Sequence, residues 1–99
     1  MVEIRRTSEF SQWLADLSDI RARTRIARHL DKVSRNGLFG DIEPVGRGVS
    51  ELRFHFGPGY RVYFKRRGDE LIILLAGGDK GSQERDIRRA KQLADEYED

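Results

Sequence analysis

The chain has 99 residues, 37% hydrophobic and 36% charged, with a formal net charge of +2 and no cysteine. This length suits one domain of modest core, taken as 1–99, and the composition is too apolar and too patterned for a disordered chain. No run of about 18 apolar residues offers a transmembrane helix, the start Val2-Glu3-Ile4-Arg5-Arg6 lacks the apolar centre of a signal peptide, and the lack of cysteine excludes a disulfide framework or a thiolate metal site, so a cytoplasmic protein is expected. The small net charge conceals an uneven layout. Four of the last five residues (Asp95, Glu96, Glu98, Asp99) are acidic, which leaves 19 basic against 13 acidic side chains in residues 1–94. Arginine outnumbers lysine 15 to 4, and arginine matches phosphate bidentately. A nucleic acid or another polyanion is the partner this favours.

In chain order, Val2 to Arg6 reads as a short strand, with Val2 and Ile4 on one face, pairing with a later strand. Thr7 or Ser8 can cap a helix in which Phe10, Trp13, Leu14 and Leu17 recur at i, i+3, i+4, i+7. That stripe is core, and Trp13 within it packs rather than stacks on a base. Asp19 can cap a second helix running to about Arg35, with Gly37 suited to its left-handed end. Ile26, Leu30 and Val33 are its buried side, and the two helices make a hairpin. The arginines of the second helix read as spread over a solvated surface, and His29 as a boundary residue. Residues 38–49, with Gly40, Pro44, Gly46 and Gly48, read as a loop carrying Asp41 and Glu43.

Ser50 to Lys65 is a β-hairpin turning at Gly57-Pro58-Gly59. Leu52, Phe54, Phe56, Tyr60, Val62 and Phe64 fall on one face by period-2 alternation, and Glu51, Arg53, His55, Arg61, Tyr63 and Lys65 on the other. Like charges at cross-strand distance destabilise a sheet, so that second face calls for an anion, unless it is an ordinary solvated face. Leu71 to Ala76 is continuously apolar and reads as a central strand covered on both sides. Gly77-Gly78-Asp79-Lys80-Gly81-Ser82 reads as a flexible turn. It lacks the spacing of a phosphate-binding P-loop. Ser82 can cap a last helix with Ile87, Ala90, Ala94 and Tyr97 inside.

Three blocks carry a resemblance: Gly48-Val49-Ser50-Glu51-Leu52-Arg53, residues 56–64 around Tyr60-Arg61-Val62-Tyr63, and residues 74–87 from Leu74 through the Gly77-Gly78-Asp79-Lys80 run to Ile87. In this order the chain resembles the RelE/ParE superfamily of bacterial toxins, and more closely its HigB-related branch, the addiction-module killer proteins. The resemblance implies an α+β fold, β-α-α-β-β-β-α, with a mainly antiparallel four-stranded sheet, an N-terminal helical hairpin and a C-terminal helix. It also implies a toxin of a type II toxin–antitoxin system, held by a small helix-turn-helix DNA-binding antitoxin. Its expected activity is an endoribonuclease that cuts messenger RNA, on the ribosome or off it, with no metal or cofactor, by 2′-hydroxyl attack on the adjacent phosphate. A ParE-like gyrase poison without nuclease chemistry, or a non-catalytic RNA-binding module, are the alternatives. By position in these blocks, Arg53, Arg61 and Lys80 match the basic residues of such toxins. Glu51, or Glu43 in its Glu-Pro context, is the candidate base and His55 the candidate acid. Arg47, Tyr63, Lys65 and Arg66 are candidate RNA contacts. The chain departs from the family pattern in lacking a tyrosine or histidine in the last helix near the active face.

Overall fold

Thr7 determines where the first helix begins. Its hydroxyl oxygen accepts from the Phe10 amide at 3.0 Å while the hydroxyl donates to the Leu75 carbonyl at 2.7 Å, so the cap is also a tie to the sheet. The computed structural model describes residues 2–97. Within it, β1 (Glu3–Arg6) leads into α1 (Ser8–Asp16) and α2 (Ile20–Asn36), followed by β2 (Ile42–Gly46), β3 (Val49–Arg53), β4 (Tyr60–Arg67), β5 (Leu71–Asp79), a 3-10 turn at Lys80–Ser82 and α3 (Gln83–Glu96). Asp19 caps α2 through the Arg21 and Ala22 amides, and Gly37 ends it at φ 72°, the left-handed conformation that glycine adopts without steric cost.

The strands form one mixed sheet in the order β1-β5-β4-β3-β2, with β1 parallel to β5 and the rest antiparallel. The α+β class and element order match the sequence reading, but the sheet has five strands rather than four. The added one, β2, lies in the stretch expected to be loop. Pro44 and Gly46 hide it, since both are poor strand formers. An edge position makes proline tolerable, because nothing there needs its missing N–H, and a register shift between Pro44 and Gly46 absorbs the irregularity.

The sheet is packed on both faces. Phe10, Ile26, Leu30 and Val33 of the helical hairpin meet Leu52, Val62, Phe64, Ile72 and Leu74 on one side, with Phe39 stacked on Phe64 at 4.6 Å. On the other, Ala90 and Ala94 of α3 meet Val49, Tyr63, Ile73 and Leu75. Trp13 packs against the first of these clusters, as expected.

The Gly77-Gly78 pair is strand, not turn. A Cβ on Gly77 would fall 2.1 Å from the Trp13 ring, and one on Gly78 would fall 1.8 Å from an Asp86 oxygen. The two glycines therefore admit α1 on one face and α3 on the other. A register shift places Leu75 between the β4 partners of Leu74 and Ala76, which leaves Leu75 and Ala76 both on the α3 side and sets this alternation. Of the acidic tail, Glu98 and Asp99 lie outside the described residues.

Candidate active site

The pairing register brings the charged residues together. Glu51 stands opposite Tyr63, Arg53 opposite Arg61, and Arg61 opposite Gly78 on the next strand. Two arginines directly opposed across a ladder repel, so the arrangement needs a counter-charge. Glu51 supplies it from one rung further in. One carboxylate oxygen accepts from Arg53 Nε at 2.9 Å and lies 3.8 Å from Arg61 Nε. The other accepts from the Tyr63 hydroxyl at 3.1 Å and from Gln83 Nε2 at 2.7 Å. Glu51 is completely buried, and a buried carboxylate is tolerable only when its lone pairs are met in this way.

Burial of the carboxylate corrects the picture of an open charged face. Because α3 covers this side of the sheet, Tyr63 is fully buried too and cannot meet a ligand from there. Its phenol is held well above the ordinary value of 10.0, first by burial and then by the neighbouring Glu51 charge, so it remains a donor to Glu51. Glu51, with both oxygens occupied and no exposed surface, is placed to orient Arg53 and Arg61 rather than to take a proton from an incoming hydroxyl.

Arg61 is 9% exposed, and its Nε is buried without a hydrogen-bond partner among the described residues. Lys80 is exposed. Both flank Gly59, where a Cβ would lie 3.4 Å from Lys80 Cβ and 4.0 Å from Arg61 Nη1. With φ at 79°, Gly59 keeps this space between the two cations clear. A hollow of about 540 Å³ opens beside Lys80, lined also by Ser82, Gln83, Glu84, Arg85 and Arg88. Gln83 thus links the hollow to Glu51.

Arg53 is partly exposed and also pairs with Glu43 of β2, so Glu43 is engaged as well. His55 lies in the loop after β3, because the first arm of the hairpin ends at Arg53. It is largely exposed, and its Nε2 meets Asp41 at 2.6 Å.

The remaining candidates lie elsewhere. Lys65 Nζ donates to the Ala94 carbonyl at 2.7 Å near the end of α3, where a cation complements the helix dipole. Arg47 pairs with Asp95. Arg66 stacks over Phe39 at 4.8 Å, on the helical-hairpin face. Sequence reasoning missed the Gln83 bond to Glu51, which spans 32 positions and left no local signal. Among the described residues no cluster of three or more His, Asp or Glu could hold a metal ion, and no helix is long and apolar enough to cross a membrane.

A sheet of this topology, with a helical hairpin on one face and a C-terminal helix on the other, is the RelE toxin fold. A mutant of E. coli toxin RelE in the free state matches with a TM-score of 0.70 at 11% identity, covering 92% of this chain and 95% of that one. The intact E. coli RelBE toxin–antitoxin complex matches at 0.65 and 11% identity, over 80% and 96%. The RelBE2 toxin–antitoxin complex of Mycobacterium tuberculosis matches at 0.61 and 19% identity, over 80% and 98%. In sequence, an uncharacterized protein of Haemophilus influenzae is 44% identical over 95 residues, 96% of this chain and 95% of its own. The family model described as Phage derived protein Gp49-like (DUF891) matches residues 12–97, and the chain belongs to that family.

Proposed function

We propose that this chain is the toxin of a type II toxin–antitoxin system and a metal-independent endoribonuclease acting on messenger RNA, with 1–99 as one toxin domain. The observation that carries this reading is the rung formed by Arg53 and Arg61, held by the buried Glu51, with Lys80 exposed beside it. Arg61 and Lys80 flank Gly59, which puts no side chain between them, and a pair of cations so placed is what a scissile phosphate requires. The ribose 2′-oxygen attacks the adjacent phosphorus, the bond to the 5′-oxygen breaks, and negative charge builds on the equatorial oxygens in between. Arg61 and Lys80 stabilise that charge, and because Glu51 already holds Arg61 in place, little reorganisation is needed as the charge develops. Glu51 is a positioning residue here. His55, exposed and oriented by Asp41, is the candidate for proton transfer between the 2′-hydroxyl and the departing 5′-oxygen. A gyrase poison would have no use for a pair of arginines held by a buried carboxylate beside an exposed lysine, which favours the nuclease.

The test is expression without a partner antitoxin. Growth and translation should stop, and primer extension on recovered messages should show new cut ends. The purified chain should also cut RNA in the presence of a chelator. Continued translation with accumulation of gyrase-cleaved DNA would instead establish the ParE-like alternative.

A further inference from the structure

Four of the six arginines and lysines of α2 share one side of the helix, while Arg23 lies on the other and donates to the Ala15 carbonyl. Arg21, Arg25, Arg28 and Lys32 stand at i, i+4, i+7 and i+11, all exposed, so on a repeat of about 3.6 residues they fall within one narrow stripe. None of them forms an ion pair among the described residues, whereas the helix's Arg35 is paired with Asp31. The stripe borders a groove of about 460 Å³ whose far wall is the end of β3 and the loop after it, Arg53 to Phe56. Arg53 therefore belongs both to this groove and to the Glu51–Arg61 centre. Beyond it, a second hollow of about 370 Å³ continues along the same stripe toward Ile20.

We propose that this groove is the track for single-stranded RNA on one side of the cut, an inference that rests on the nuclease reading above and adds where the flanking strand lies. Two features select RNA over an acidic peptide. The cations recur about every 5–6 Å along the helix, so an extended phosphate backbone meets one at each turn. The Arg25 guanidinium lies over the Phe56 ring, 4.0 Å from its centroid, and this held, flat face suits an unpaired base, which stacks on arginine planes. A carboxylate would seek the N–H edge instead.

The experiment measures binding of a 12-nucleotide RNA that is 2′-O-methylated throughout, and so cannot be cut, beside cleavage of an unmodified 12-mer and an unmodified trinucleotide. The variants are Arg25→Ala/Arg28→Ala/Lys32→Ala and Arg25→Lys, each checked for an unchanged unfolding temperature. The triple variant should bind the methylated 12-mer roughly 10- to 100-fold more weakly, with the slope of log K against log salt reduced by about 2 for three lost phosphates. It should cut the trinucleotide at the wild-type rate. Arg25→Lys should weaken binding while keeping the salt slope. If the triple variant binds the 12-mer as wild type does, the track is wrong, even if the chain proves to be a nuclease. The same holds if that variant loses only its affinity for an acidic protein partner. If wild type cuts neither RNA and leaves messages on translating ribosomes intact, yet binds the methylated 12-mer through α2, the nuclease reading fails while α2 stands as an RNA-binding surface.

Discussion

Glu51 is the side chain on which the candidate site depends, and its neighbours respond differently to removal. Arg61→Ala deletes a buried guanidinium, so it is not the surface change that strand alternation alone suggests. The carboxylate nevertheless keeps Arg53, Tyr63 and Gln83 as donors. The cost should be about 1–2 kcal/mol, lowering the unfolding temperature by several degrees. Cleavage should fall at least ~100-fold, the effect of losing one donor to a developing oxyanion, and Arg61→Lys should restore only part of it. Single-turnover cleavage beside thermal unfolding checks this, and an alanine variant that cuts at the wild-type rate would remove Arg61 from the site. Tyr63 makes a prediction in pH. Its folded phenol holds its proton more tightly than the unfolded one, whose ordinary value is 10.0. The stabilisation is thus complete below about pH 10 and is lost as pH rises beyond it, where only unfolded chains ionise. Tyr63→Phe should cost about 1 kcal/mol at neutral pH through the lost bond to Glu51, and less and less relative to wild type as pH goes from 9.5 to 11. Urea midpoints at these values decide it; a constant difference would mean that the phenol titrates normally in the fold.

Among the elements, β5 carries the tightest constraint. It is the strand that both α1 and α3 press upon, and Gly77 and Gly78 are where they come closest. A side chain at either position must displace the Trp13 ring or the Asp86 carboxylate, which Ser82 also holds at 2.5 Å. Gly77→Ala and Gly78→Ala should each destabilise by about 3 kcal/mol, the upper range for overpacking in a closed core. Gly77→Ala combined with Trp13→Ala should cost less than the sum of the two, because the second change vacates the space the first invades. Denaturant midpoints of the three variants test this, and strict additivity would show that Gly77 is not there to admit Trp13.

At the scale of the molecule, charge is sorted by place. Arg89 of α3 binds Glu9 of α1 at 2.8 Å, and Arg47 binds Asp95, so these acids and bases are spent on holding helices and loops. Lys80 and the α2 stripe form no ion pair among the described residues, and Arg61 shares the single Glu51 carboxylate with Arg53. An antitoxin that silences the proposed nuclease has to neutralise this region. Lys80 should therefore lose reactivity toward a lysine-acetylating reagent when the antitoxin binds, read by mass spectrometry, while Lys65, engaged with the Ala94 carbonyl, changes little. Equal labelling of Lys80 in free and bound protein would exclude an inhibitor seated at the site.

Local chemistry made much of this legible from the residues in order. Capping by Thr7 and Asp19, the 3.6-residue stripes of α1 and α2, the hairpin and the doubly covered β5 each depend on neighbours a few positions apart, and so does the α2 cation stripe, which in sequence reads as cations spread over a solvated surface. Tertiary structure decided the rest. Whether Pro44 sits in a strand depends on β3 being beside it, and whether Gly77-Gly78 turns or continues depends on Trp13 and Asp86. The role of Glu51 depends on α3 closing over it and on Gln83 arriving from 32 positions away. Alternation assigns a residue to one of two faces, but burial is set by what the rest of the chain lays on that face, and a carboxylate read as a reactive group became a buried anchor for two arginines.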